Sequence, residues 1–222
     1  MVGEVGTNRL ILIGAGGHAR VLADALHLLG RAEGAVVLDA QADLHGTALL
    51  GLPIVGGDEL LASLRGEGFS EFLVAIGGIR GFGLRRRLFD RAVQLGLRAA
   101  VLRHPASVVA GSAVLGAGSQ VLASAVVNAC AEIGENVILN TGSIVEHDCW
   151  VGADSHIAPR ACLAGGVRIG RQVHIGVGAT ICENLQIGDR AIVGAGAVVI
   201  RDVPPEAVVA GVPAKAIRRS GP

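Results

Sequence analysis

At 222 residues the chain has room for one large domain or two small ones, and its Lys and Arg balance its Asp and Glu at 19 each. A composition that is 51% hydrophobic and 17% charged, with no net charge, describes a soluble globular protein and gives no basis for a nucleic-acid or membrane-surface partner. No apolar run reaches the roughly 18 residues that a spanning helix needs, and the N-terminus lacks a basic-then-apolar leader, so a cytoplasmic location is expected.

Arg9-Leu10-Ile11-Leu12-Ile13 reads as a buried strand and runs directly into Gly14-Ala15-Gly16-Gly17-His18-Ala19. From Arg20 to Leu29 the apolar residues Val21, Leu22, Ala25, Leu28 and Leu29 recur at helical spacing, and Gly30 stops the run. Val36 to Asp39 is a second strand, Asp58 to Leu64 a short capped helix, Glu71 to Ile76 a third strand, Leu84 to Leu95 a helix, and Ala99 to Leu102 a fourth strand. Alternating strands and helices predict a small parallel sheet, half of a Rossmann-like fold, with its ligand crevice at the carboxyl ends of the strands.

That topology gathers the Gly14, Gly16, Gly17 and His18 loop with Asp39 and with Gly77-Gly78. Glycines let a phosphate approach the backbone, and the N-terminus of the following helix favours negative charge. The same spacing fits a dinucleotide fingerprint, but about 100 residues hold only half of such a fold, so a mononucleotide-type ligand is the expectation. The competing expectation is that the glycines merely let helix and sheet pack closely. Arg85, Arg86 and Arg87 open the last helix; one of them can pair with a diphosphate, although a solvated helix face is the default for such a run.

The second half obeys a different rule. Stepping by six from Val109 to Val199 meets sixteen aliphatic residues without a break, and four places after each stands a small or β-branched residue. Glycine often follows the aliphatic position, as at Gly116, Gly134, Gly152, Gly170 and Gly188. A fixed period of six with one large and one small inward residue marks a parallel β-solenoid. Three hexads make one triangular coil, about five coils in all, with strands roughly 4.8 Å apart.

All four phenylalanines precede residue 90, which sets a compositional boundary near Arg103, His104 and Pro105. The expected divisions are residues 1–103, a Rossmann-like domain for a mononucleotide-type ligand; 104–205, the solenoid; and 206–222, a tail covering the last coil. Cys130, Cys149, Cys162 and Cys182 show no metal-binding spacing and are expected as free thiols; Cys149 falls at an inward place.

The segment Asn140-Thr141-Gly142-Ser143-Ile144-Val145-Glu146-His147-Asp148-Cys149 interrupts the monotony of the solenoid. His147 takes the third, outward place of its hexad, and one coil of 18 residues stacks it between Ala129 and Gly165, small neighbours that leave a groove beside its ring. His156 is the last residue of the next hexad, on another face or at its corner, with His174 one coil beneath it. One prism can hardly bring His147 and His156 to one substrate, so a homotrimer with active sites between subunits is expected.

The GxGGH loop, the hexad array carrying that segment, and the ending Val209-Ala210-Gly211-Val212-Pro213-Ala214-Lys215 together resemble the bacterial hexapeptide-repeat sugar acetyltransferases. The resemblance spans residues 9 to 217 and points to the UDP-4-amino-sugar N-acetyltransferase group and its sialic acid O-acetyltransferase and perosamine N-acetyltransferase relatives. It implies a left-handed parallel β-helix and acetyl-CoA as cosubstrate, with no metal. It also implies a nucleotide-linked amino sugar as acceptor, His147 as general base with Asp148 beside it, and Asp39 and the glycine loop on the nucleotide.

His156, Gly165, Val177 and Lys215 fall, by the same resemblance, along coenzyme A. The Gly77-Gly78-Ile79-Arg80-Gly81-Phe82 stretch departs from the family's shorter turn and leaves the diphosphate contact unassigned. The chemistry suits these residues, because an amine attacking a thioester must lose a proton and an imidazole near pKa ~6.5 accepts one at neutral pH. Sugar O-acetylation, a non-catalytic nucleotide-sugar binder and a zinc carbonic anhydrase on the same solenoid are the alternatives; the last wants three imidazoles on the metal.

Overall fold

The computed structural model describes residues 9–78 and 82–219. They cluster into two compact units, the first running to Ile76 and resuming from Leu84 to Ala100, the second holding the solenoid from Val101 onward.

In the first unit the apolar run Arg9–Ile13 forms β1, buried from Leu10 on, and α1 (Gly17–Leu28) follows it. Next come β2 (Val36–Leu38), β3 (Ala48–Leu49), β4 (Leu52–Gly56), α2 (Leu61–Gly66), β5 (Phe69–Val74), α3 (Phe82–Gln94) and β6 (Arg98–Ala99). The sheet order is β3-β4-β2-β1-β5-β6. All neighbours are parallel except β3 with β4, so the sheet is mixed rather than purely parallel.

The β3–β4 hairpin escaped the sequence reading because Leu50-Gly51 turns it within two residues, with Leu50 at φ 47° and Gly51 at φ 84°. Leu61, Leu64, Phe69, Phe72, Phe89 and Ala92 fill the core, with Phe72 and Phe89 edge to face at 5.4 Å. The expected fourth strand at Ala99 to Leu102 divides in two. Arg98–Ala99 joins this sheet, whereas Leu102–Arg103 pairs with Gln120–Val121 as the first rung of the solenoid.

The solenoid is a parallel β-helix of two-residue strands on three faces. The first face holds Leu102–Arg103, Gln120–Val121, Ile138–Leu139, His156–Ile157, His174–Ile175 and Ile192–Val193. The second face runs from Val108–Val109 to Val198–Val199, and the third from Val114–Leu115 to Gln186–Ile187. Each strand pairs in register with the strand 18 residues on, as Ile144↔Cys162 and Trp150↔Arg168 show. The inward places are as the period requires: Val121, Val127, Leu139, Val145, Val151, Ile157 and Leu163 are buried, and so are the small residues between them, among them Ala125, Ala131, Ser143, Cys149 and Ala161.

The tail does more than cover the last coil. Ala207–Ala210 extends the first face and Lys215–Arg219 returns antiparallel to it, while the Ala214 N–H donates to Val198 O at the end of the second face. This closes strand edges that would otherwise stand open. Among the described residues, no helix is long and apolar enough to cross a membrane.

Candidate functional site

The first unit carries a pocket of about 350 Å³ at the carboxyl ends of its central strands. Gly14, Asp39, Gln41, Asp58 and Arg87 line it, and Ile13, Leu38, Ile76, Leu84 and Leu88 form its apolar walls. Asp39 is locked from both sides: Oδ2 accepts the Ala15 N–H at 2.6 Å and Oδ1 the Gln41 N–H at 2.9 Å. The acidic residue that ends β2 therefore shapes the glycine loop after β1.

The three loop glycines have different reasons to be glycine. Gly14 sits at φ +115°, and a Cβ there would meet Ile76 at 3.0 Å and the Ala75 carbonyl oxygen at 3.2 Å. Gly16 and Gly17 face open space, so close packing does not account for them. They lead into α1 with no side-chain cap and no acidic residue in the first turn, an arrangement suited to an anion. Gly16, Gly17, half-buried His18 and the Gly77-Gly78 pair stand near the pocket in sequence without lining it. Ile79, Arg80 and Gly81 lie outside the described residues.

The arginine run at α3 is not one solvated face. Arg85 is fully buried, Arg86 pairs with Asp90 and stacks over the Phe89 ring, and Arg87 lines the pocket. Leu84, Arg87 and Leu88 stand at helical spacing, and that signal was present in the sequence. Gln41 and Asp58 had no such signal, because their place depends on β2 and β4 lying side by side.

In the solenoid, His147 stands on the turn after Ile144–Val145, on the edge between the second and third faces. Its Nδ1 lies 2.8 Å from Asp148 Oδ2, and both side chains are open to solvent. That hydrogen bond, reinforced by the charges of Asp148 and Glu146, raises the imidazole pKa above its ordinary 6.5. The ring lies on Gly165: a Cβ there would come within 2.6 Å of His147 Cε1 and Nε2. Ala129 is the neighbour on the other side, its carbonyl accepting the Asp148 N–H at 3.0 Å. Cys149 is core, its thiol directed at Ala164 O at 3.1 Å and its pKa raised by burial.

His156 lies on the first face and is 6% exposed. Its Nε2 is 3.0 Å from Asn140 Nδ2, and its ring meets His174 edge to face at 5.1 Å. Asn140 is itself fixed, because its Oδ1 accepts the Thr141 N–H at 2.8 Å. Burial lowers the pKa of His174.

One chain thus joins His147 with Asp148 and Gly165, and His156 with Asn140 and His174, on separate parts of the prism. Val177 is exposed on the edge between the first and second faces, and Lys215 is exposed at the start of the final strand. Asn140 gained no role from the sequence, since its contact with His156 spans one coil of the solenoid. Among the described residues no group of three or more His, Cys, Asp or Glu is placed to hold a metal ion.

A mixed sheet with a lined pocket at its strand ends, followed by a hexad solenoid with an exposed carboxylate-paired histidine, defines a hexapeptide-repeat transferase with an added α/β domain. The family model "PglD N-terminal domain" matches residues 9–92, and "Bacterial transferase hexapeptide (six repeats)" matches residues 166–201. The chain is similar to PerB from Caulobacter crescentus, solved with CoA and GDP-perosamine, at 41% identity and TM-score 0.87, covering 98% of this chain and 99% of that one.

It is also similar to the acetyltransferase domain of PglB from Neisseria gonorrhoeae FA1090, solved with acetyl coenzyme A. That match has 40% identity and TM-score 0.89 over 96% of this chain and 100% of the other. WeeI from Acinetobacter baumannii AYE matches at 26% identity and TM-score 0.79, over 94% and 99%. The chain belongs to the hexapeptide-repeat bacterial sugar acetyltransferases.

Proposed function

We propose that the protein transfers the acetyl group of acetyl-CoA to the amine of a nucleotide-linked amino sugar, with His147 as general base. The observation that carries this reading is the His147–Asp148 pair seated on Gly165. Asp148 accepts the Nδ1 proton, so the Nε2 lone pair faces outward to take a proton from the attacking amine.

The amine nitrogen bonds to the thioester carbonyl carbon as its proton passes to Nε2. Collapse of the tetrahedral intermediate breaks the carbon–sulfur bond, and the imidazolium returns the proton to the departing thiolate. Backbone amides beside the ring, that of Gly165 first, are suited to the oxyanion. Holding amine and thioester together supplies much of the rest. No acyl-enzyme is needed, in keeping with the buried place of Cys149.

The nucleotide is assigned to the first-unit pocket, lined by Asp39 and Gly14; Gly16, Gly17, His18, Gly77 and Gly78 are assigned to the same ligand from their place in the sequence. Arg87 is the arginine for the diphosphate, because it lines the pocket while Arg85 is buried. His156, Gly165, Val177 and Lys215 are assigned to coenzyme A. Those residues are spread over one face and two edges of one prism, which supports a homotrimer whose sites form between copies. Val108 and Val114, each about three-fifths exposed on outer faces, offer apolar surface for that contact.

A thiol-release assay with acetyl-CoA against GDP- and UDP-linked amino sugars tests the reading. Turnover in the wild type, lost in His147→Ala with the fold retained, is the expected result. Absence of turnover with every sugar, together with absence of coenzyme A binding, overturns it.

A further inference from the structure

On the first face of the solenoid the outward places stack in one column, Gln120, Ile138, His156, His174 and Ile192, paired in register from coil to coil. Outward places meet solvent where a face is free, and Glu132, Arg168 and Gln186 on the third face are exposed. On the first face Gln120 and Ile138 are fully buried, and His156 and His174 are only 6% and 8% exposed. The two imidazoles therefore fill a closed part of the column, with Ile138 before them and Ile192 after.

His156 is held from two directions. Asn140 Nδ2 lies 3.0 Å from its Nε2, a single point about which a ring can still swing. His174 supplies the second restraint, its ring meeting that of His156 at 5.1 Å between centroids and 72° between planes. An edge-to-face contact has a preferred angle, which an aliphatic side chain cannot supply.

Packing alone does not ask for an imidazole at 174. Its Nδ1 is buried with no hydrogen-bond partner among the described residues, a destabilising state for a polar atom. The places on either side of the histidine pair hold isoleucine, so an aliphatic residue meets the packing requirement of the column. What His174 contributes at this place is the plane of its ring.

We propose that His174 is a positioning residue: through the ring contact it sets the plane of His156 and so the affinity for coenzyme A. The proposal rests on the assignment of His156 to coenzyme A made above and adds the residue that orients it.

Calorimetric titration of the full chain with CoA tests it, on the wild type and on His156→Ala, His174→Leu and His174→Phe. His156→Ala weakens binding, and His174→Leu, which removes the ring and keeps an apolar side chain, weakens it about threefold to tenfold. His174→Phe restores a ring without its nitrogens, and the affinity returns toward that of the wild type. In turnover the KM for acetyl-CoA follows the same order, while kcat changes less. Wild-type affinity in a folded His174→Leu overturns the proposal and leaves His156 on coenzyme A. If the leucine variant does not fold, His174→Phe carries the test, and a loss of affinity there as large as in His156→Ala overturns it. Unchanged affinity in His156→Ala removes His156 from coenzyme A, and the proposal falls with that assignment.

Discussion

In its proposed role as general base His147 works only while neutral, so its raised pKa places the rising limb of the pH profile of kcat/KM above pH 6.5. Asp148→Asn removes the largest cause of that shift, and the limb moves to lower pH while the plateau falls. A pH–rate series on both proteins checks this; a limb that stays in place denies Asp148 its role. Gly165 gives a second test at the same scale. An alanine there puts a Cβ within 2.6 Å of the ring, so the imidazole must leave its seat. The expected loss in kcat is on the order of a hundredfold, with the melting temperature little changed. The glycine was legible as a small neighbour of His147, but its contact with the ring needed the coil pitch to become visible.

Within each coil the turn residue at the fourth hexad place takes φ near +60°, at Ser124, Cys130, Asn136, Asp148, Asp154 and Arg160 among others. Glycine and the Asn/Asp pair tolerate that region best, and Asp148 therefore meets a backbone requirement as well as a chemical one. The glycines at the second hexad place obey a separate constraint. On the third face a Cβ at Gly152 would lie 2.6 Å from the Gly170 carbonyl carbon and oxygen, backbone of the next coil. Gly152→Ala must push coils apart, at a cost of about 1–3 kcal/mol, measurable by chemical denaturation. The sequence showed the glycine period; which atoms it makes room for depends on the pitch between coils. Arg98–Ala99 and Leu102–Arg103 read as one strand for a related reason: a run of apolar residues does not say which sheet each end joins.

For the whole molecule, sites formed between copies make a distinctive prediction. Under the proposed trimer, His147→Ala and His156→Ala chains, each inactive alone, regain activity when unfolded and refolded together, because mixed trimers would hold some sites with both histidines intact. A monomer regains none. Acid stability belongs to the same scale. His174 is buried and its folded pKa lies below 6.5, so below about pH 6.5 the unfolded chain binds a proton that the folded chain excludes. The stability contributed by the neutral form therefore falls as pH drops through the folded value. Melting temperatures between pH 7.5 and 5 decline for the wild type, and decline less for His174→Gln.

The hexad period, the glycine loop and the outward place of His147 were fixed by local order, because a side chain's face in a strand or coil follows from its count along the chain. The sequence alone therefore determined the solenoid, the two-part architecture and the family. Tertiary structure decided what depends on segments distant in sequence. It sorted three adjacent arginines into buried core, ion pair and pocket wall, set Asp58 beside Asp39, and joined Asn140 to His156 across a coil. Hydrogen bonds and burial act over a few ångströms of space, and that distance exists only once the strands have paired.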